Sequence, residues 1–250
     1  MTFYDHFSHN AAAYRESRPH YPDALFDWIA SAAPATGLVW DCGCGNGQAS
    51  VPLAARFDRV VATDASKKQL DQAVQAPGIE YRLGTAEDSG LGARSADAVT
   101  VAQAAHWFDH KAFHKEVRRV LKPGGLLAMW SYALNTVNPD FDKVTAVFYN
   151  EVVGPYWPPR RSHVESKYKT LPFPFKKIKT PNFAMVHEWT LDQVIDYYRT
   201  WSATKGFVES NGTDPLALVE AEFLAAWGDT KKPQRVTWPL TVVAGYAPGR

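Results

Sequence analysis

The stretch Leu38-Val-Trp-Asp-Cys-Gly-Cys-Gly-Asn-Gly-Gln48 decides the fold of this 250-residue chain. A short apolar run ends in Asp41, and glycines follow at positions 43, 45 and 47. The apolar run is typical of a buried strand, and the glycines predict a tight turn that opens a helix over residues 48–57. Glycine permits a positive φ and lets a ligand approach the backbone closely. Because open α/β sheets bind nucleotides at the carboxyl ends of strands, this turn predicts a nucleotide-like ligand.

Strands and helices alternate on either side of this turn. The apolar patterns predict strands over 38–41, 59–63, 79–83, 96–102 and 126–131, and helices over 21–33, 48–57, 67–75 and 111–121. Such alternation predicts an α/β protein with a parallel, doubly wound sheet.

The pattern becomes irregular beyond residue 132. We expect helices over 141–152, 191–201 and 215–227, a strand over 182–188, and an irregular aromatic segment over 154–174. A strand-like run over 235–246 closes the chain, and Pro239 within it indicates a bulge or an edge position. The chain thus divides into an N-terminal helical segment (1–35), a Rossmann-like core (36–131), a cap region (132–235) and a final sheet strand (236–250).

Composition and charge exclude several classes of function. The net charge of +1 gives little affinity for nucleic acid or an anionic membrane. No segment approaches the ~18 apolar residues of a membrane span, and the first residues lack the basic head and apolar run of a signal peptide. We therefore expect a cytoplasmic protein. The two cysteines, Cys42 and Cys44, fit small side chains in a crowded turn, with a redox or metal pair as the alternative.

An acidic residue follows the second predicted strand, about 20 residues after the glycine turn. Asp64 lies 19 residues beyond Gly45, where a carboxylate can accept hydrogen bonds from both hydroxyls of a ribose. The alternative is that Asp64 caps the helix that begins near Ser66. Its spacing from the glycines favours the ribose.

Four segments match, in order and spacing, the motif series of the class I S-adenosylmethionine (SAM) methyltransferases. They are Asp41-Cys-Gly-Cys-Gly-Asn-Gly47, Asp64-Ala-Ser66, Gly84-Thr-Ala-Glu-Asp88 and Leu121-Lys-Pro-Gly-Gly125. With Ala102-Gln-Ala-Ala-His-Trp-Phe-Asp109 and the Tyr14–Pro22 segment, the chain resembles the trans-aconitate methyltransferase-like subgroup. The resemblance implies a Rossmann-like, mostly parallel seven-stranded sheet with an antiparallel final strand, plus a partly helical cap.

The resemblance also implies SAM as cofactor, with S-adenosylhomocysteine as product, and a set of residues that bind it. These are Arg18 at the carboxylate, Asp41 near the amino group, Gly43, Cys44, Gly45, Asn46 and Gly47 around the methionine end, Asp64 and Ala65 at the ribose, Gln69, Ala86 and Glu87 at the adenine, and Gln103 and Ala104 beneath the sulfonium. Many relatives carry Asp where this chain has Thr85, which leaves the adenine hydrogen bond of that position open.

The candidate catalytic residues are His106, which follows the fourth strand, and Tyr14. His106 is expected to act as a base or to orient the acceptor, and a hydrogen-bonded structural histidine is the alternative. Trp107, Arg160, Arg161 and Arg199 are the candidate acceptor residues. The alternative is a solvated surface position for Arg160 and Arg161, and packing against the core for Trp107 and Arg199. The histidines show no metal-ligand spacing, so no metal is expected.

The sequence therefore predicts a SAM-dependent methyltransferase that acts on a small molecule by in-line transfer, with a carboxylic acid as the expected acceptor. A nicotinamide-dependent oxidoreductase on a similar sheet is one alternative, disfavoured because Gly-x-Gly-x-Gly differs from the dinucleotide fingerprint. A non-catalytic SAM-binding protein is the other.

Overall fold

The computed structural model describes residues 18–249, and within them seven strands form one sheet. The strands are β1 (Leu38–Cys42), β2 (Arg59–Asp64), β3 (Ile79–Leu83), β4 (Ala96–Ala102), β5 (Leu121–Tyr132), β6 (Phe183–Trp189) and β7 (Gln234–Tyr246). Their order is β3-β2-β1-β4-β5-β7-β6, with β7 antiparallel to both neighbours and the other pairs parallel. The predicted Rossmann-like sheet is confirmed.

Nine α-helices surround the sheet within residues 18–249. They are α1 (Asp23–Ala32), α2 (Ser50–Ala54), α3 (Lys67–Leu70), α4 (His110–Val120), α5 (Pro139–Val147), α6 (Ser162–Glu165), α7 (Leu191–Arg199), α8 (Ser202–Asn211) and α9 (Glu220–Trp227). Short 3₁₀ turns cover Ala105–Trp107, Gly154–Tyr156, Pro159–Arg161 and Pro215–Leu218, and a π-turn covers Phe148–Val152. None of these helices is both long enough and apolar enough to cross a membrane.

Several predicted boundaries are wrong for local reasons. The helix predicted over 67–75 stops at Leu70, because the chain then turns back and Val74 N–H donates to the Asn46 carbonyl at 3.2 Å. The helix predicted over 48–57 shortens to α2. Helix α8 was missed, since its sequence carries no strong apolar face, and it ends at Gly212 with a φ of 72°.

Pro239 is neither at an edge nor at a bulge. It lies in β7, an inner strand, and pairs with Ala184 of β6 in an unbroken register. Along β7 the pairing with β5 ends where Leu240 meets Tyr132. Pro239 thus lies one residue beyond the last register pair with β5, so a missing N–H on that side costs no hydrogen bond to β5.

Three apolar clusters support this architecture. One packs α1 and α2 against one face of the sheet, and a second packs α4 against the other. The third lies in the cap and is largely aromatic, with Phe141, Phe148, Tyr198 and Trp201 fully or almost fully buried. The cap therefore has a core of its own, which packs on β6 through Met185 and on β7 through Trp238.

Candidate functional site

The glycine turn after β1 has the backbone conformation that its sequence predicts. Gly43, Gly45 and Gly47 have φ values of 69°, 57° and 87°. A Cβ on Gly43 would lie 2.7 Å from Ala104 Cβ, and one on Gly47 would lie 2.1 Å from Tyr81 Oη. At Gly45 the nearest atom would be Gln69 Oε1, at 3.8 Å. The outer two glycines are thus required by packing, whereas Gly45 borders open space that suits a ligand.

Asp41 is held inside the protein beneath this turn. Its carboxylate is fully buried and accepts hydrogen bonds from Ser50 Oγ at 2.6 Å and from Thr100 Oγ1 at 3.0 Å. Thr100 is its register partner on β4. Burial raises the pKa of Asp41 from 3.8 to about 6. A cation near this group would favour its ionised form.

Asp64 joins the ends of β1 and β2. One carboxylate oxygen accepts from Gly45 N–H at 2.8 Å and the other from Ser66 N–H at 2.8 Å. The N-cap of α3 is Ser66, whose hydroxyl accepts from Gln69 N–H. The capping role weighed for Asp64 thus belongs to its neighbour. Gln69 is buried beside the turn, and Ala65 is exposed at the rim.

The side chain of Gln103 continues the hydrogen bonding between β4 and β5 beyond the end of β4. The Gln103 φ of 54° is unusual for a residue with a Cβ, and its N–H donates to Trp130 O at 2.8 Å. Its side-chain amide then donates to Tyr132 O at 2.8 Å and accepts from Tyr132 N–H at 3.1 Å. This pair fixes the backbone at the carboxyl end of β4, where Ala104 faces Gly43.

The loop after β3 is tied to the start of α4. Glu87 accepts from Asp109 N–H at 3.0 Å, and Asp109 caps α4 by accepting from Lys111 and Ala112 N–H. Ala86 is buried in the core cluster beside α4. Glu87 thus holds the Ala86 backbone in place relative to β4.

Arg18 lies where the first described residues meet the cap. Its Nη1 donates to Tyr132 Oη at 3.0 Å, and its guanidinium lies 5.2 Å from the centre of the Tyr197 ring. Beside it a cavity of about 300 Å³ reaches the outer side of the glycine turn. The residues that line it are Arg18, His20, Tyr21, Asn46, Gly47, Gln48, Val51, Pro52 and Val74.

His106 lies in the 3₁₀ turn after β4 and is almost fully buried. Its Nδ1 lies 3.3 Å from Tyr168 Oη. Burial above all, with smaller contributions from Arg161, His163, Arg160 and His110, lowers the pKa of His106 to about 3. An imidazole with this pKa is a weak base, so the contacts favour the structural reading of His106 over the base.

Two of the three arginines predicted for the acceptor lie beside His106. Arg160 donates to the carbonyl of Trp107. Arg161 donates to Tyr149 Oη at 3.0 Å and lies 4.7 Å from the centre of the Trp157 ring. Arg199 is different, because it is half-exposed and bound by Asp196 and Asp214. Its contacts place it in an exposed ion-pair network, neither in the acceptor pocket nor packed against the core.

The remaining candidate residues are Tyr14 and the two cysteines. Tyr14 lies outside the described residues. Cys42 and Cys44 are free and buried, and burial raises the pKa of both thiols well above the ordinary value. They are therefore unreactive thiols packed in the turn. Within residues 18–249 no group of three or more His, Cys, Asp or Glu side chains could hold a metal ion.

Known proteins are similar to this chain in sequence and in fold. A protein of Dictyostelium discoideum named as a methyltransferase is 33% identical over 237 residues, which span 92% of this chain and 90% of the relative. The chain belongs to the methyltransferase family. The methyltransferase domain of that family matches residues 40–129, the part that carries the glycine turn and β1 to β5.

Two further relatives support the assignment of this chain to the methyltransferases. A solved structure described as a type II methyltransferase from Anaeromyxobacter dehalogenans is 44% identical, with a TM-score of 0.88 over 93% of this chain and 99% of that one. A Saccharomyces cerevisiae protein, 23% identical over 95% of both chains, is named as an S-adenosylmethionine-dependent methyltransferase. The predictions of a SAM-dependent methyltransferase and of SAM as its cofactor are confirmed, and family membership decides against the oxidoreductase.

Sequence reasoning missed two tyrosines of the methyltransferase site. Tyr132 ends β5 and bonds both Gln103 and Arg18. The sequence could have indicated Tyr132, because it directly follows the predicted strand over 126–131, which lies beside β4. Tyr168 comes from the irregular cap segment, and nothing in the local pattern indicated that its hydroxyl reaches His106.

Proposed function

We propose that this methyltransferase transfers the methyl group of SAM to a small acidic molecule, with SAM on the Gly43–Gly47 turn and the acceptor between that turn and the cap. The turn fits the cofactor, because Gly45 faces open space next to the Asp64 carboxylate and the Gln69 side chain. A carboxylate that already accepts two backbone N–H groups is held firmly enough to accept from ribose hydroxyls as well.

The other predicted cofactor residues surround the same turn. Asp41 lies beneath it, and a cationic amino group above would favour its ionised form. Gln103 and Ala104 end the neighbouring strand, and Ala86 and Glu87 belong to the loop after β3. Arg18 lines the cavity beside Gly47, where a guanidinium suits a carboxylate. Together these residues offer partners for each polar part of an amino acid joined to a nucleoside.

The observation that carries the acidic acceptor is the gathering of positive charge at the carboxyl end of β4. The permanent cations here are Arg160 and Arg161, and both lower the pKa of the neighbouring His106. Among residues 18–249 no carboxylate forms an ion pair with Arg160 or Arg161, and Glu165 accepts instead from Tyr149 Oη at 2.7 Å. Guanidinium groups without a carboxylate partner suit an anionic ligand, and that of Arg161 is also held against two aromatic rings.

The reaction needs alignment more than acid–base chemistry. SAM supplies a methyl group on a positively charged sulfur. The acceptor oxygen forms the new bond to this carbon, the carbon–sulfur bond breaks, and its electron pair returns to sulfur. A carboxylate acceptor is already ionised, so no residue has to remove a proton. Positioning alone contributes roughly 7–11 kcal/mol to such a step.

The experiment is methyl transfer from labelled SAM to a panel of mono-, di- and tricarboxylates, with amines, phenols and thiols alongside. We expect labelled methyl esters from the acids, released again by mild alkali. Transfer to amines or phenols with none to acids would overturn the acceptor class and leave the methyltransferase assignment intact. SAM binding without transfer to any member of the panel would instead support a non-catalytic SAM-binding protein.

A further inference from the structure

Tyr168 reaches out of the cap into the core below β4 and β5. Its ring is 1% exposed and belongs to the same apolar cluster as Val101 and Met129. Lys167 and Tyr168 are consecutive residues with φ values of 55° and 56°. Left-handed residues with a Cβ are costly and persist where the surroundings hold them in place. The turn thus sends one phenol inward, and its hydroxyl meets His106 Nδ1 at 3.3 Å.

The direction of this hydrogen bond follows from the proton of the phenol. Burial raises the pKa of Tyr168 above its ordinary range, so the hydroxyl is protonated at neutral pH. Ser131 also faces this hydroxyl, and its side chain favours the ionised phenol, so Ser131 acts as a donor toward Tyr168 Oη. Among residues 18–249, His106 Nδ1 is then the acceptor for the Tyr168 O–H. If Nδ1 carried a proton instead, a buried O–H would lack an acceptor, at a cost of about 1–3 kcal/mol. Tyr168 therefore donates and Nδ1 accepts.

The neutral ring then carries its proton on Nε2. Within the described part of the chain no group accepts a hydrogen bond from Nε2, and this atom is not among the fully enclosed polar atoms without a partner. A donor in a 94% buried side chain thus has its hydrogen-bonding capacity unused at the strand end where ligands of this architecture bind.

We propose that Tyr168 is a positioning residue that holds His106 as the neutral Nε2–H tautomer, so that His106 donates a hydrogen bond to an oxygen of the methyl acceptor. This inference rests on the proposed function, since it assigns a role toward that same acceptor. The bound oxygen is the one that is not methylated, which leaves the other carboxylate oxygen free to attack. No proton moves in this step.

The groups that face His106 agree with a donor. Arg160 and Arg161 from the Pro159–Arg161 turn, His163 from α6 and His110 from α4 all disfavour a charged imidazole. Tyr168 faces it from the cap as a neutral phenol. A ring kept neutral beside the two guanidinium groups can bind an anion by donating its N–H.

The experiment combines histidine NMR with acceptor kinetics on the full chain. In ¹⁵N-histidine-labelled protein we expect His106 to show Nε2–H and an unprotonated Nδ1 from pH 5 to 8. Tyr168→Phe should change the Nδ1 shift and lower kcat/KM for the acceptor about fivefold, with the SAM dissociation constant unchanged. Tyr198→Phe is the matched control: it also removes a buried hydroxyl, one that bonds Thr145 and Asn135 in the cap core, and should leave the His106 signals in place.

Substitutions of His106 separate a donor from a base. His106→Gln keeps an N–H donor and should retain most activity, whereas His106→Ala should lose roughly 10- to 100-fold in kcat/KM. An Nδ1–H tautomer in the wild type, a His106 that titrates near pH 6.5, or equal losses in the Gln and Ala variants would overturn the inference. The proposed function fails separately, if the wild type transfers no methyl group to acids while His106 shows the expected tautomer.

Discussion

The glycine-turn edge of the sheet and the cap above it treat their polar side chains in opposite ways. At the edge, Asp41, Asp64, Glu87 and Gln103 each bond backbone groups or hydroxyls of nearby strands, turns or helix starts. In the cap, the guanidinium of Arg161 lies against Tyr149 and a tryptophan ring, with no carboxylate paired to it in residues 18–249.

This difference indicates a division of labour. The edge is preorganised by bonds that the protein makes with itself, so a cofactor meets fixed donors and acceptors. The cap keeps charges that a ligand has to neutralise, on a scaffold of aromatic packing. Substitutions at the edge should therefore alter cofactor binding and stability together, and substitutions in the cap should alter the acceptor alone.

The largest effect should come from the open glycine of the turn. Gly45→Ala should weaken SAM binding at least 100-fold, because its Cβ enters the space that the cofactor needs, and isothermal titration with SAM measures this. Gly90→Ala is the matched control, since Gly90 has a φ of 64° and no atom near its would-be Cβ. Both variants should lose about 1–2 kcal/mol of stability from the left-handed conformation. Micromolar SAM binding by Gly45→Ala would contradict a cofactor on this turn.

The second prediction concerns the pH dependence of stability. The pKa of Asp41 is raised from 3.8 to about 6, so the folded state holds a proton that the unfolded state releases. The stability from this group is complete below pH 3.8 and is lost as pH rises to about 6, by about 3 kcal/mol. Asp41→Asn should lack this loss. Denaturant unfolding of both proteins at pH 4, 5, 6 and 7 isolates it as their difference, and a constant difference would contradict the buried carboxylic acid.

The third prediction separates the cofactor role of Asp64 from its structural role. Asp64→Ala should weaken SAM binding by about 1.5–3 kcal/mol, the usual contribution of hydrogen bonds to a charged group. Ser66→Ala is the control, because it removes the N-cap of α3 at a cost of about 1 kcal/mol in stability and leaves Asp64 in place. If Asp64→Ala lowers the melting temperature and leaves SAM affinity unchanged, the ribose role is wrong.

The smallest effect should be in the cap. Arg161→Gln should raise the KM for an acidic acceptor about tenfold and leave the SAM dissociation constant unchanged, because one charge-assisted hydrogen bond is lost. Arg59→Gln removes an exposed arginine paired with Glu80 on β2 and β3, and steady-state kinetics should show no change. A loss of SAM affinity in Arg161→Gln would contradict the assignment of cofactor binding to the edge and acceptor binding to the cap.

The same division explains what the sequence could predict. Strands β1 to β5 and the glycine turn follow from local patterns, since most of these strands are apolar and glycine or proline marks several of the turns. The cluster of Asp41, Asp64 and Gln103 followed because parallel strands bring their carboxyl ends to one edge.

The structure of the cap could not be predicted from local sequence patterns. Its segment over 154–174 contains two 3₁₀ turns and the short helix α6, none long enough to repeat an apolar period. The contact between Tyr168 and His106 joins residues 62 positions apart through a left-handed turn without glycine. Arg160, Arg161 and Arg199 looked alike as sequence, and only their tertiary partners distinguish them.

Gln103 makes one backbone amide a reporter of the site. Because its Oε1 accepts the Tyr132 N–H, the last rung between β4 and β5 is closed by a side chain instead of by a strand. Any rotation of that side chain toward a bound molecule exposes the Tyr132 amide to solvent, whereas the Trp130 carbonyl keeps its bond to the Gln103 backbone. The rate at which this amide exchanges its hydrogen for deuterium thus follows one rotamer, and it can be recorded without any label on the ligand.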